Sequence, residues 1–124
     1  MPIEVLIVDE DEDVLDITGT FLDREDGLSV STEPDPERAL ERVREGGFDA
    51  VVSDLRMPGL GGFELCDRIR ATDRDLPFFV FTGRDPRDIE ADSEAATVTG
   101  IVRKGTGTEQ YERLAEQIRT AVER

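Results

Sequence analysis

The residues able to do chemistry fall at the ends of apolar runs. Asp9, Glu10 and Asp11 follow directly on Val5-Leu6-Ile7-Val8. Asp54 stands just beyond Ala50-Val51-Val52, and Thr82 with Gly83 follows Phe78-Phe79-Val80-Phe81. Lys104 comes just after the segment from Val98 to Val102. If those runs lie side by side, three or four acids, one hydroxyl and one ammonium gather at one edge. Two carboxylates about 4 Å apart repel by about 4 kcal/mol at an effective dielectric near 20. Such a cluster is stable when protonated, paired with Lys104, or bound to a cation. An all-oxygen donor set with few protein ligands suits Mg²⁺, with Mn²⁺ as a substitute, because Mg²⁺ keeps several of its waters. A carboxylate beside such an ion can attack phosphorus, and metal and ammonium together stabilise charge on transferring phosphoryl oxygens.

The elements that must position these residues are legible as alternating patterns. Apolar runs alternate with helical spacing five times, which predicts an α/β fold around a parallel sheet. The runs from Val5, Ala50 and Phe78 are continuously apolar, as strands buried on both faces are. Leu28 to Ser31 alternates, and Val98 to Val102 is more polar, so both are expected at the edges. Val14, Leu15, Ile17, Phe21 and Leu22 give the first helix its apolar side, and Asp11 or Glu12 caps it. Asp35-Pro36 starts the second helix, buried through Ala39, Leu40 and Val43, and Gly46-Gly47 ends it. Phe63, Cys66 and Ile69 mark the third. Asp85-Pro86 starts a weakly apolar fourth, with Ile89, Ala91 and Ala95 as its candidates. Thr106 and Glu109 fit a capping box for the last helix, which carries Tyr111, Leu114, Ala115, Ile118 and Val122. Right-handed crossovers with central strands one, three and four give the order 2-1-3-4-5, whose site lies at the carboxyl ends of strands one and three.

Composition narrows the function. The 124 residues suffice for one domain, 1–124, with thirty acids against fifteen bases and a formal net charge of −15. That charge disfavours binding of nucleic acid or an anionic membrane surface. Lys104 is the sole lysine among the bases. An acidic, lysine-poor surface resembles that of halophilic proteins, where salt screens self-repulsion. One cysteine, Cys66, excludes an internal disulfide and fits a cytoplasmic location. No apolar run reaches membrane-span length. The absence of histidine removes the commonest general base and zinc ligand.

Taken singly, each candidate has a plainer reading: a capping acid, a solvated lysine, a turn threonine. Taken together, in this order on five strands, they form one site. The segments VLIVDEDED, FDAVVSDLRMPGLGGFEL, FFVFTGRD and GIVRKG resemble the receiver domains of two-component response regulators from first strand to last helix. The resemblance implies a flavodoxin-like, doubly wound (βα)5 fold with Asp54 as phosphoacceptor. It implies Mg²⁺ on Glu10, Asp54 and the Arg56 backbone carbonyl, with Asp9 acting through water. Lys104 would pair with the phosphoryl group, Thr82 would donate its hydroxyl and move inward, and Gly83 would leave room. The implied partners are a histidine kinase or phosphotransfer protein, and a downstream protein or attached output domain read through the fourth helix, fifth strand and fifth helix. The domain would catalyse only its own phosphorylation and dephosphorylation.

Three departures bear on the switch. Gly105 stands where the family usually has a cis proline, and a non-proline cis bond costs about 2.5–4 kcal/mol. Ile101 stands where a rotating Tyr or Phe often partners the threonine. Gly61 replaces a frequent Asp before the third helix, which should loosen that loop. Two rival readings are a degenerate receiver that binds protein without phosphorylation, and a phosphate-ester hydrolase. The hydrolase would usually carry a second acid two residues after its nucleophile, where this chain has Arg56. The chain, ending at Arg124, is expected to be either a stand-alone regulator or the front of a longer protein.

Overall fold

The computed structural model describes residues 2–83, 98–105 and 107–123. Five strands form one parallel sheet: β1 (Ile3–Val8), β2 (Leu28–Glu33), β3 (Ala50–Ser53), β4 (Phe78–Thr82) and β5 (Gly100–Arg103). Their order is β2-β1-β3-β4-β5, every pair parallel, as the apolar content of the runs predicts. The described helices are α1 (Glu12–Asp23), α2 (Pro36–Glu45), α3 (Gly62–Arg70) and the C-terminal α4 (Glu109–Val122). The helix expected from Asp85-Pro86, with Ile89, Ala91 and Ala95, lies outside the described residues, as does Thr106.

The central strands divide their side chains between two cores. Leu6, Val8, Val51, Phe78 and Val80 face α2 and α3, where they meet Ala39, Leu40, Leu65, Cys66 and Ile69. Val5, Ile7, Val52, Phe79 and Phe81 face the other way, onto Leu15 and Leu22 of α1 and Leu114, Ala115 and Ile118 of α4. Burial on both faces is why these runs show no alternation. Gly62 completes the α3 side: a Cβ there would fall onto the Asp54 carbonyl oxygen and lie 3.1 Å from the Leu55 Cα.

Helix ends follow local chemistry. The Asp11 side chain accepts hydrogen bonds from the Asp13 and Val14 N–H groups, and Asp35 accepts from Glu37 ahead of Pro36. Gly46 ends α2 with φ +91°, a conformation that favours glycine.

Several expectations need correction. Ile17 is 51% exposed, and Thr18 and Gly19 are buried in its stead. The helical phase set by Leu15 and Leu22 points residues 18 and 19 at the sheet and turns 17 outward. β2 runs two residues further than the alternating stretch, and β5 begins at Gly100 rather than Val98. The cap of α4 is Thr108, without a side-chain cap hydrogen bond, two residues later than the helix start expected at Thr106. Glu109 is thereby the first helical residue.

Candidate functional site

The main chain sets the site's frame. The Asp54 N–H donates to the Val8 carbonyl at 3.0 Å, and the Lys104 N–H to the Thr82 carbonyl at 2.6 Å. These bonds bring Asp9, Asp54, Thr82 and Lys104 to the carboxyl edge of neighbouring strands, as the predicted order requires.

Three of the expected residues meet directly. The Lys104 Nζ stands 3.3 Å from Asp9 Oδ2 and 3.5 Å from Asp54 Oδ1. Asp9 is only 6% exposed. Its Oδ1 accepts the Asp11 N–H at 2.9 Å, so both of its oxygens are engaged. Asp54 Oδ1 also accepts the Leu55 N–H at 2.8 Å. The second oxygen, Oδ2, makes no hydrogen bond or ion pair among the described residues. The ammonium lies 5.6 Å from the centre of the Phe81 ring, a cation–π contact from the α1–α4 face of the sheet.

Burial raises the Asp54 carboxyl above its ordinary value. Lys104 opposes the rise, the Asp9 charge adds to it, and the Leu55 N–H and the Lys104 hydrogen bond oppose it again. Desolvation is thus the largest influence, and the ammonium is the main reason that two carboxylates can share this edge.

The other expected residues lie on the adjoining strands and loops. Thr82 is buried at the end of β4, opposite Arg103. The Glu10 side chain is half-buried and makes no hydrogen bond or ion pair among the described residues. Arg56 is exposed in the loop after β3, and Gly83 is exposed beyond β4. Ile101 faces the α2–α3 core beside Val80 rather than the acids.

Among the described residues, no three His, Cys, Asp or Glu side chains gather closely enough to enclose a metal ion by themselves. The donor set still fits Mg²⁺, which takes one or two carboxylates together with water and phosphate oxygens rather than a protein cage. Asp9 and Asp54 already hold one cationic group between them.

Sequence reasoning missed Gln110. Its buried amide accepts the Gly105 N–H at 2.8 Å and donates to the Gly105 and Gly107 carbonyls at 3.0 and 2.9 Å. A signal was present: Gln110 is a polar residue in phase with Leu114 and Ile118 on the apolar stripe. No cis peptide occurs among the described residues, so Gly105 follows Lys104 in the trans form.

The sequence model of the response regulator receiver domain matches residues 5–118. Response regulator MprA of Mycolicibacterium vanbaalenii is 40% identical over 85 residues, 68% of this chain and 36% of that protein. The heme response regulator HssR of Staphylococcus aureus is 30% identical over 122 residues, 98% of this chain and 52% of that protein. The chain therefore spans between 36% and 52% of the length of these curated relatives. A receiver domain protein from Clostridium thermocellum superposes with a TM-score of 0.83 at 21% identity, covering 98% of this chain and 94% of that one. TrrA of Thermotoga maritima, solved in complex with Mg²⁺-BeF, gives 0.83 at 22% identity, covering 94% and 98%. The structural likeness speaks for the fold, and the match over residues 5–118 speaks for descent: this chain belongs to the response regulator receiver domain family.

Proposed function

We propose that the chain is a phosphoryl-accepting switch in which Asp54 is the acceptor. The observation that carries this reading is the Lys104 ammonium bridging Asp9 and Asp54 while Asp54 Oδ2 keeps no partner among the described residues. That oxygen is the nucleophile. It attacks the phosphorus of a partner's phosphohistidine, the new P–O bond forms as the P–N bond breaks, and the imidazole nitrogen keeps the bonding pair. Lys104 meets the negative charge on the transferred group. Thr82 donates its hydroxyl to a phosphoryl oxygen, and Gly83 adds no bulk beside it.

Glu10, Asp54 and the Arg56 carbonyl, with Asp9 through water, would hold Mg²⁺, or Mn²⁺ in its place. The ion supplies charge neutralisation at the phosphoryl oxygens. Hydrolysis of the same acyl phosphate resets the switch, so the domain turns over no separate substrate. The donor is a histidine kinase or phosphotransfer protein, and the output is a downstream protein or an attached domain.

Intact-mass spectrometry after treatment with acetyl phosphate and Mg²⁺ tests this. One phosphoryl group is expected, at Asp54, and none in Asp54→Asn. Undiminished modification of that variant would overturn the assignment. An unmodified wild-type chain would leave the non-phosphorylated binding module.

A further inference from the structure

We infer that Gln110 is a positioning residue for Lys104: its side-chain amide holds the loop after β5 so that the ammonium rests between Asp9 and Asp54. The inference rests on the proposed role of this site as a phosphoryl acceptor and goes beyond it by naming what keeps the cation in place.

Lys104 is the last residue of its strand end to make a sheet-type hydrogen bond, from its N–H to the Thr82 carbonyl. Beyond it the chain passes through Gly105 and Gly107, the latter at φ +83°. A Cβ at either glycine would meet nothing within 4 Å, so neither position is wedged by its neighbours. Glycine also has the largest conformational freedom to lose on ordering. A loop so built needs an outside anchor to hold the residue before it.

Gln110 is that anchor. It sits in the first turn of α4, 8% exposed, with its helix bound to the core through Tyr111 and Leu114. One amide oxygen takes the Gly105 N–H, and the amide nitrogen gives its two hydrogens to the Gly105 and Gly107 carbonyls. This pattern is specific to a carboxamide. A carboxylate would face two carbonyl oxygens without a hydrogen to give, and an apolar side chain would offer these three backbone groups no partner. Gln110 and Lys104 also line one cleft, together with Phe81 and Tyr111. Motion of the loop is thereby motion of the ammonium.

The near-isosteric, uncharged variant Gln110→Met tests this, with Gln110→Ala as the second variant should the first not fold. Lys104 is the sole lysine, so its acylation is read by peptide mapping with the amino terminus as the other reactive amine. Acylation of Lys104 should rise by about tenfold in either variant, the weight of one lost hydrogen bond at the upper end of its net range. Phosphorylation of Asp54 by acetyl phosphate should slow by a similar factor. The melting transition should stay cooperative. Wild-type acylation and phosphorylation rates in a folded variant would overturn the inference. A wild-type chain that takes no phosphoryl group would instead overturn the functional reading, and the acylation comparison would still decide whether Gln110 holds Lys104.

Discussion

Gly62 packs its Cα directly against the main-chain carbonyl of Asp54, leaving no room for a side chain. The Gly62 N–H closes the same turn by donating to the Leu55 carbonyl at 2.9 Å. The start of α3 is thus fastened to the proposed acceptor and the residue after it.

Gly62→Ala should therefore act at two levels. The added methyl meets backbone rather than a yielding side chain, so α3 or the Asp54 peptide must shift. A cost of about 1–3 kcal/mol is expected, as for overpacked cores, together with slower phosphorylation at Asp54. Urea unfolding and acetyl phosphate kinetics measure the two. Gly61→Ala is the control, because its nearest contact would be an ordinary 3.4 Å from the Leu55 carbonyl.

The raised Asp54 carboxyl predicts a pH effect of definite sign. Folded Asp54 keeps its proton at pH values where the unfolded chain has lost it, since the ordinary value is 3.8. In that window the native state binds more protons, so this residue's contribution to stability falls as pH rises from about 3.8 through the raised value. Asp54→Asn cannot ionise. Without Mg²⁺, it should be more stable than wild type at neutral pH, and the difference should close below about pH 3.8. Paired denaturation series across pH test this; a difference that widens on acidification would contradict it.

Lys104 should be hard to reach in the wild-type chain. Its ammonium has two carboxylate partners and the Phe81 ring, and its side chain is 26% exposed. Acylation should be slow in the free protein and slower with beryllofluoride at Asp54, which adds an anionic partner. Lys104→Ala should leave Asp54 phosphorylated slowly, with its carboxyl raised further, because Lys104 is the largest influence holding it down. Free acylation, indifferent to beryllofluoride, would remove Lys104 from the site.

Salt should stabilise the fold. The described ion pairs are few beside a net charge of −15, and those of Arg38 with Glu41 and Glu45 and of Arg68 with Glu64 sit exposed on the surface. Exposed pairs each contribute about 0–1 kcal/mol, so screening of the net repulsion should outweigh their loss. The melting temperature should rise steadily from low to molar KCl. A melting temperature indifferent to KCl would leave an acidic surface without halophilic behaviour.

The sheet order and the identity of the residues at its carboxyl edge are legible in the amino-acid pattern alone. Continuous apolar runs declare buried parallel strands, Asp11 and Asp35 declare their helix starts, and right-handed crossovers leave few ways to arrange five strands. Asp9, Asp54, Thr82 and Lys104 then fall at one edge by chain order alone.

Tertiary structure decided what those patterns do not encode. A strand apolar on both faces does not say that Phe81 turns toward Lys104 while Val80 and Ile101 turn away. The period of α1 alone did not separate Ile17 from Thr18, because one residue of phase decides which meets the sheet. Most of all, the position of the Lys104 ammonium depends on bonds between residues distant in the chain, to Asp9 and Asp54, and on the Gln110 amide across a glycine loop. Local pattern is set by neighbours along the chain. Loop geometry and charge pairing are set by neighbours in space, which exist only once the sheet and α4 have come together.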